Sequence, residues 1–236
     1  MMLLSHNHAH FNPATAGATV ALDARFLTGF ADGDAVGTWT GRAGTSINPT
    51  EATNKPSYKV GGINGQPTVR TDGVNDVLSA TATGSTTVYS LVALIAWDSG
   101  QGSGTFRIAS TYGGGSGSAT LWLGQNTGTG RSTASHSAPA NDLSSSVSDS
   151  NPHLFAVVVD SGTITFWLDG TYIGASSTNV SARSGDGFQI GYYPGLGLYF
   201  KGDYGAVSLL PGVAMPAALR RRIEQSLAFS FRIPCA

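Results

Sequence analysis

The stretch Leu154-Phe155-Ala156-Val157-Val158-Val159-Asp160-Ser161-Gly162-Thr163-Ile164-Thr165-Phe166-Trp167-Leu168-Asp169-Gly170-Thr171-Tyr172 decides the fold. Its first six residues are apolar without a break, the mark of a strand covered on both faces. Ser161-Gly162 and Asp169-Gly170 then fall between apolar runs, where tight hairpin turns are made. In the middle segment Ile164, Phe166 and Leu168 share one face of a strand, and Thr163, Thr165 and Trp167 share the other. Two hairpins in series predict an antiparallel sheet.

The pattern extends outward in both directions. Thr86 to Trp97 is a second covered strand, rich in Val, Leu, Ile and Tyr. Pro67–Thr71 and Val77–Ala80 flank the turn Asp72-Gly73-Val74-Asn75, and Phe188–Tyr193 and Leu198–Leu210 supply the last strands. Residues 125–151 are polar and weakly patterned, and read as long loops with one strand at most. One helix is expected, from Met215 to about Phe229. Pro216 suits a first turn, and Leu219, Ile223 and Leu227 form one apolar stripe. Arg220, Arg221 and Glu224 lie off that stripe, so Arg220–Arg222 reads as a solvated face. Residues 1–13 read as an N-terminal arm, and residues 14–236 as one domain.

Composition supports this and excludes several functions. Only 11% of the 236 residues are charged and 32 are Gly, which suits short strands and tight turns rather than helix bundles. A net charge of −1 offers no basic footprint for nucleic acid. No segment approaches the roughly 20 apolar residues of a membrane span. The opening Met1-Met2-Leu3-Leu4 is too short for a signal peptide, which leads to the expectation of a chain without an export address. Cys235 is the single cysteine, so no internal disulfide can form.

Four stretches carry a family resemblance. They are Leu22-Asp23-Ala24-Arg25 with Asp32 to Trp39; Lys55-Pro56-Ser57-Tyr58 with Asn64 to Pro67 and Asp72 to Leu78; Trp167-Leu168-Asp169-Gly170; and Phe200-Lys201-Gly202-Asp203 followed by a strand and the helix. In order and spacing they resemble the laminin-G-like and concanavalin A-like jelly-roll modules of bacterial surface and phage virion proteins. The resemblance spans about residues 18 to 230. It implies an all-β, two-sheet antiparallel jelly-roll sandwich. Two departures stand out: Thr71, where relatives usually carry an aromatic, and Gly205-Ala206, where they often carry an acid.

Candidate sites follow from residue chemistry. Glycosidases flank the scissile bond with two carboxylates, and those of this fold place them in a Glu-x-Asp-x-Glu run. This chain has only Glu51 and Glu224, each far from a second acid in sequence. Asp32, Asp34, Asp72, Asn75 and Asp76 offer the hard oxygens that calcium prefers, although such residues at turns also bond their own backbone. Calcium is therefore the one candidate cofactor. His6, His8 and His10 alternate, so an extended arm would present three imidazoles on one side, a potential transition-metal set. Tyr112, Trp122, Tyr192, Tyr193 and Tyr199 are candidate sugar platforms near loops, and Trp167 is a further one. No Gly-x-Ser-x-Gly elbow is present, and His136 and His153 are isolated in sequence.

The sequence thus reads as a non-catalytic, lectin-like binding or structural protein. Its expected setting is a phage virion, as capsid decoration, tail fibre or receptor-binding part, docked on virion proteins or on itself through the arm. The alternatives are an extracellular, free-standing carbohydrate-binding lectin that takes a cell-surface glycan with or without calcium, and, less favoured, a glycosidase.

Overall fold

The computed structural model describes residues 11–49, 52–80, 86–99, 105–112, 119–126, 131–136, 143–145, 149–177, 187–193 and 197–236. His6, His8 and His10 lie outside them. Two eight-stranded antiparallel sheets face each other. The first contains β1 (Val20–Asp23), β4 (Ser57–Ile63), β5 (Gln66–Asp72), β7 (Tyr89–Trp97), β12 (His153–Asp160), β13 (Thr163–Leu168), β14 (Thr171–Ser177) and β18 (Lys201–Pro211). Its order is β14-β13-β12-β7-β18-β5-β4, with β1 also on β18. The second contains β2 (Trp39–Thr40), β3 (Ser46–Pro49), β6 (Leu78–Ala80), β8 (Thr105–Tyr112), β9 (Ala119–Asn126), β10 (Arg131–His136), β11 (Leu143–Ser145) and β15 (Gly187–Ile190). A small ribbon pairs β16 (Tyr192–Tyr193) with β17 (Leu198–Tyr199), and one helix, α1 (Ala217–Phe231), follows β18. The antiparallel sheet expected from the hairpins, and the all-β two-sheet sandwich that the resemblance implies, are the architecture of the described residues.

The two apolar runs read from the sequence are neighbours. Strand β12 pairs with β7 on one side and β13 on the other. Phe155, Val157 and Val159 meet Leu91, Ala93, Ile95 and Phe166 between the sheets. Leu154, Ala156 and Val158 face outward with Val92, Leu94 and Ala206, beneath Ile223, Leu227, Ala228 and Phe231 of α1. Burial on both faces is why these strands carry no polar alternation.

Three details depart from expectation. The segment 125–151 holds more strand than foreseen, because β9 ends at Asn126 and β10 and β11 follow. These strands are rich in Ser and Thr, so no apolar alternation announces them. Pro216 is the N-cap rather than the first helical residue, with an extended ψ of 153°, and the helix runs two residues past Phe229. Finally, Arg220 is not on a solvated face. It is 4% exposed and ion-paired with Glu224, itself 1% exposed. Its guanidinium lies 4.6 Å from the centre of the Trp167 ring on β13. A cation can enter this interface because an aromatic face and a carboxylate meet it there.

Gly205 shows why an acid does not follow the Phe-x-Gly-Asp strand here. The β18–β7 register shifts between Tyr204 and Ala206, and a Cβ at Gly205 would sit 2.8 Å from Phe231 Cε1. The helix packs too closely on this bulge for any side chain.

Candidate polar groove on the first sheet

The outer face of the first sheet is divided. Helix α1 covers its apolar half. At the other end of the same strands the exposed half is polar, because the residues that begin β4 and β18, end β5 and follow β7 are polar. Antiparallel partners point to the same face, so the strand register aligns these residues in rows. Lys201 is paired with Asp72 on β5. On its other side Lys201 accepts the Asp98 N–H on its carbonyl oxygen, at 3.0 Å, and its Nζ lies 3.3 Å from Asp98 Oδ1. The result is a row of Asp98, Lys201 and Asp72 at three neighbouring strand ends, with the ammonium paired to Asp98. Strand spacing sets the Asp72 and Asp98 backbones roughly 10 Å apart.

A second row lies beside it. Ser57 is opposite Arg70, and Arg70 is opposite Asp203. Arg70 donates to both carboxylate oxygens of Asp203, Nε to Oδ1 at 3.0 Å and Nη2 to Oδ2 at 2.5 Å, and Thr68 donates to Oδ1 at 2.7 Å. This hydrogen bonding to Asp203 holds the Arg70 guanidinium above its ordinary pKa, against the opposing effect of burial. The first row and Ser57 and Arg70 of the second, with Lys55, Lys59 and Asn75, line an open groove of about 600 Å³. Gly73, at φ +77°, lets the 72–76 turn lie against it, since a Cβ there would be 2.7 Å from Lys201 Cβ.

The structure brings together only part of the predicted cation set. Asp72, Asn75 and Asp76 meet in this groove. Asp72 Oδ1, however, accepts the N–H groups of Val74 and Asn75, and Asp76 Oδ2 accepts the N–H of Asp72. Asp34 caps Ala31, and Asp32 accepts the Val60 N–H and lies 3.7 Å from Lys59 Nζ. These aspartates hold turns together. Among the described residues no group of three or more His, Cys, Asp or Glu is arranged to hold a metal ion. Burial pushes the Asp76 carboxyl up to about 6, and the neighbouring Asp72 charge adds to this.

Of the proposed aromatic platforms, Tyr192 and Tyr199 are half-buried and stack on each other at 4.9 Å across the β16–β17 ribbon. Tyr112, Trp122 and Tyr193 belong to strands whose side chains at these positions lie outside the described residues. Trp167 has one ring face under Arg220 and an edge contact with Tyr172, so it is a packing residue. Burial pushes the Cys235 thiol up to about 11.

Sequence reasoning missed Lys201, Asp98 and Arg70. The available signal was positional. Asp72, Asp98 and Lys201 each follow directly on a buried residue, Thr71, Trp97 or Phe200, at a strand end.

No protein-family model matches the chain, and no curated protein matches it. Solved structures do. A Trypanosoma rangeli sialidase in complex with sialic acid superimposes with a TM-score of 0.63 at 14% identity, over 91% of this chain and 33% of that one. A mutant of that sialidase displaying trans-sialidase activity gives 0.65 at 14% identity, over 96% and 37%. A GH54 α-L-arabinofuranosidase soaked with a cyclic sulfate inhibitor gives 0.63 at 11% identity, over 92% and 65%. The chain thus spans about a third of the length of the sialidases. At this identity the likeness is one of fold, a β-sandwich.

That likeness corrects the functional expectation. The reading as a non-catalytic virion component, outside any enzyme, gives way, because the fold is one that sialidases and an arabinofuranosidase carry. The missing Glu-x-Asp-x-Glu run excluded one catalytic arrangement and was extended too far, to enzymes as a class.

Proposed function

We propose that this chain is a laminin-G-like, concanavalin A-like β-sandwich working as part of a carbohydrate-active enzyme, and that the groove on the first sheet is where it holds glycan. The observation that carries this reading is the Asp98–Lys201–Asp72 row. Two carboxylates accept hydroxyl protons and the ammonium between them donates, which matches the dense, mixed hydrogen bonding of a sugar. Ser57 and Asn75 add neutral donors and acceptors. The fold shared with glycosidases supports the same substrate class.

Titration calorimetry with a panel of neutral and acidic oligosaccharides tests it, with reducing-end release measured on the same samples. At least one glycan is expected to bind the wild-type chain, and to lose binding in Asp98→Ala and Lys201→Ala. A panel that neither binds nor is cleaved, or binding that survives both substitutions, would overturn the assignment.

A further inference from the structure

His153 opens β12 and is 8% exposed. Both of its ring nitrogens are engaged by carboxylates. Nδ1 lies 2.7 Å from Asp169 Oδ2 and Nε2 lies 2.9 Å from Asp149 Oδ1. The ring stacks on Trp97 of β7, with centres 5.3 Å apart and planes 22° apart. A neutral imidazole carries a single N–H, so it satisfies one carboxylate and turns a lone pair toward the other. Only the imidazolium donates to both.

We propose that His153 is a pH-sensitive clamp, which in its charged form fastens the Asp149 turn and the Asp169–Gly170 turn to the end of β7 and which lets go of Asp149 on losing its proton. The asymmetry follows from the partners. Asp169 is secured independently, because its Oδ1 accepts the Leu154 N–H at 2.8 Å and its carbonyl accepts the Ala236 N–H at 2.9 Å. Asp149 is 55% exposed, and among the described residues its other partner is Asn151, whose N–H it accepts at 2.9 Å and whose side chain also bonds it. Asn151, Pro152, His153 and Asp169 form part of the wall of a cavity of about 350 Å³, which Asn64, Ile233 and Pro234 also line. Release of Asp149 therefore loosens that wall.

The charged groups facing His153 are Asp149 from the preceding turn and Asp169 from the β13–β14 turn, while Trp97 is the neutral face. Behind Asp169 stand Glu224, paired with Arg220, and the thiol of Cys235. Burial alone would lower the imidazole pKa. The hydrogen bonds to Asp169 and Asp149 outweigh it, and the pKa rises above its ordinary 6.5. A raised base contributes stability fully below its unfolded value and loses it as pH rises through the folded value.

The test is nitrogen NMR of the His153 ring, titrated from pH 5 to 9 in the wild type and in Asp149→Asn. Both ring nitrogens should be protonated at pH 6 in the wild type. The midpoint should lie above 6.5 and fall in the variant, and the Asn151 amide shift should follow the wild-type titration. A ring nitrogen without a proton at pH 6 would overturn the clamp. So would a midpoint that Asp149→Asn leaves in place, or an Asn151 amide indifferent to it. Asp149 is exposed, so the variant folds and the comparison stays readable.

Discussion

The two halves of the first sheet's outer face are made from the same strands and meet opposite fates. Under α1, strands β7, β12 and β18 present Val92, Leu94, Leu154, Ala156, Val158 and Ala206, and the helix seals them. A few residues along, β5 ends in Asp72, Asp98 follows β7 and β18 begins with Lys201, and among the described residues no helix lies over them. One half is held by area removed from water. The other is held by paired charges that remain wet. The difference separates stability from recognition: the covered half should govern whether the chain folds, and the open half what it touches.

The largest effect should come from the covered half. Phe231, the last residue of α1, is fully buried against the Gly205 bulge. Phe231→Ala is expected to cost about 3–5 kcal/mol of stability through lost burial and a residual cavity, as chemical denaturation would show. Glycan affinity of the folded fraction should not change. A loss of affinity equal to that of the groove variants would erase the proposed division.

Next is a titration in the groove floor. Asp76 is 5% exposed and its pKa is raised from 3.8 to about 6. An acid with a raised native pKa holds its proton longer in the folded than in the unfolded state. Its ionisation therefore costs stability as pH rises from about 4 to 6, and the cost persists above. Asp76→Asn keeps an acceptor for the Asp72 N–H and carries no charge. It should stabilise the protein by about 2 kcal/mol at pH 7 relative to pH 4, measured as the difference between wild-type and variant denaturation midpoints at the two values. Equal midpoint differences at both would mean that Asp76 ionises normally.

Asp203 lies between the two regimes. It accepts from Thr68, which is fully buried, and from Arg70, whose side chain is 42% exposed. In Asp203→Ala the arginine can turn to water, whereas the Thr68 hydroxyl is stranded. The expected loss is about 1–2 kcal/mol. Asp203→Asn, which keeps an acceptor, should recover part of it under denaturant.

These contrasts also explain what could be read from sequence. The apolar runs around Leu94 and Val157 announce covered strands because burial on both faces acts on consecutive residues. The stripe Ile223–Leu227 announces the helix for the same local reason. The Arg220–Glu224 pair misleads, because an i, i+4 ion pair reads as surface chemistry and the Trp167 ring that buries it arrives from another strand. His153 reads as isolated because Asp169 reaches it only across the β12–β13 hairpin. The Asp98–Lys201–Asp72 row is invisible for a stronger reason. Its members are spread over 130 residues, and only the registers of three strands set them side by side. The turn-capping role of Asp34, Asp72 and Asp76, in contrast, was written locally in their glycine neighbours, whereas Asp32 bonds Val60 of β4.

The smallest stability effect should accompany the largest functional one. Lys201 is 39% exposed and its partner Asp98 is 36% exposed, so their ion pair is screened and contributes within about 0.5 kcal/mol. Lys201→Met keeps the stem that packs on Gly73 and removes only the charge. Melting should hardly move. Yet the donor at the centre of the row is gone, so a glycan hydroxyl array built to meet acceptor, donor and acceptor finds the wrong sequence of partners. Affinity for the groove's glycan should fall at least tenfold by calorimetry while the denaturation midpoint stays in place. A Lys201→Met protein that binds as the wild type does would leave the row as mere surface charge, and would move the search for the glycan to the other sheet.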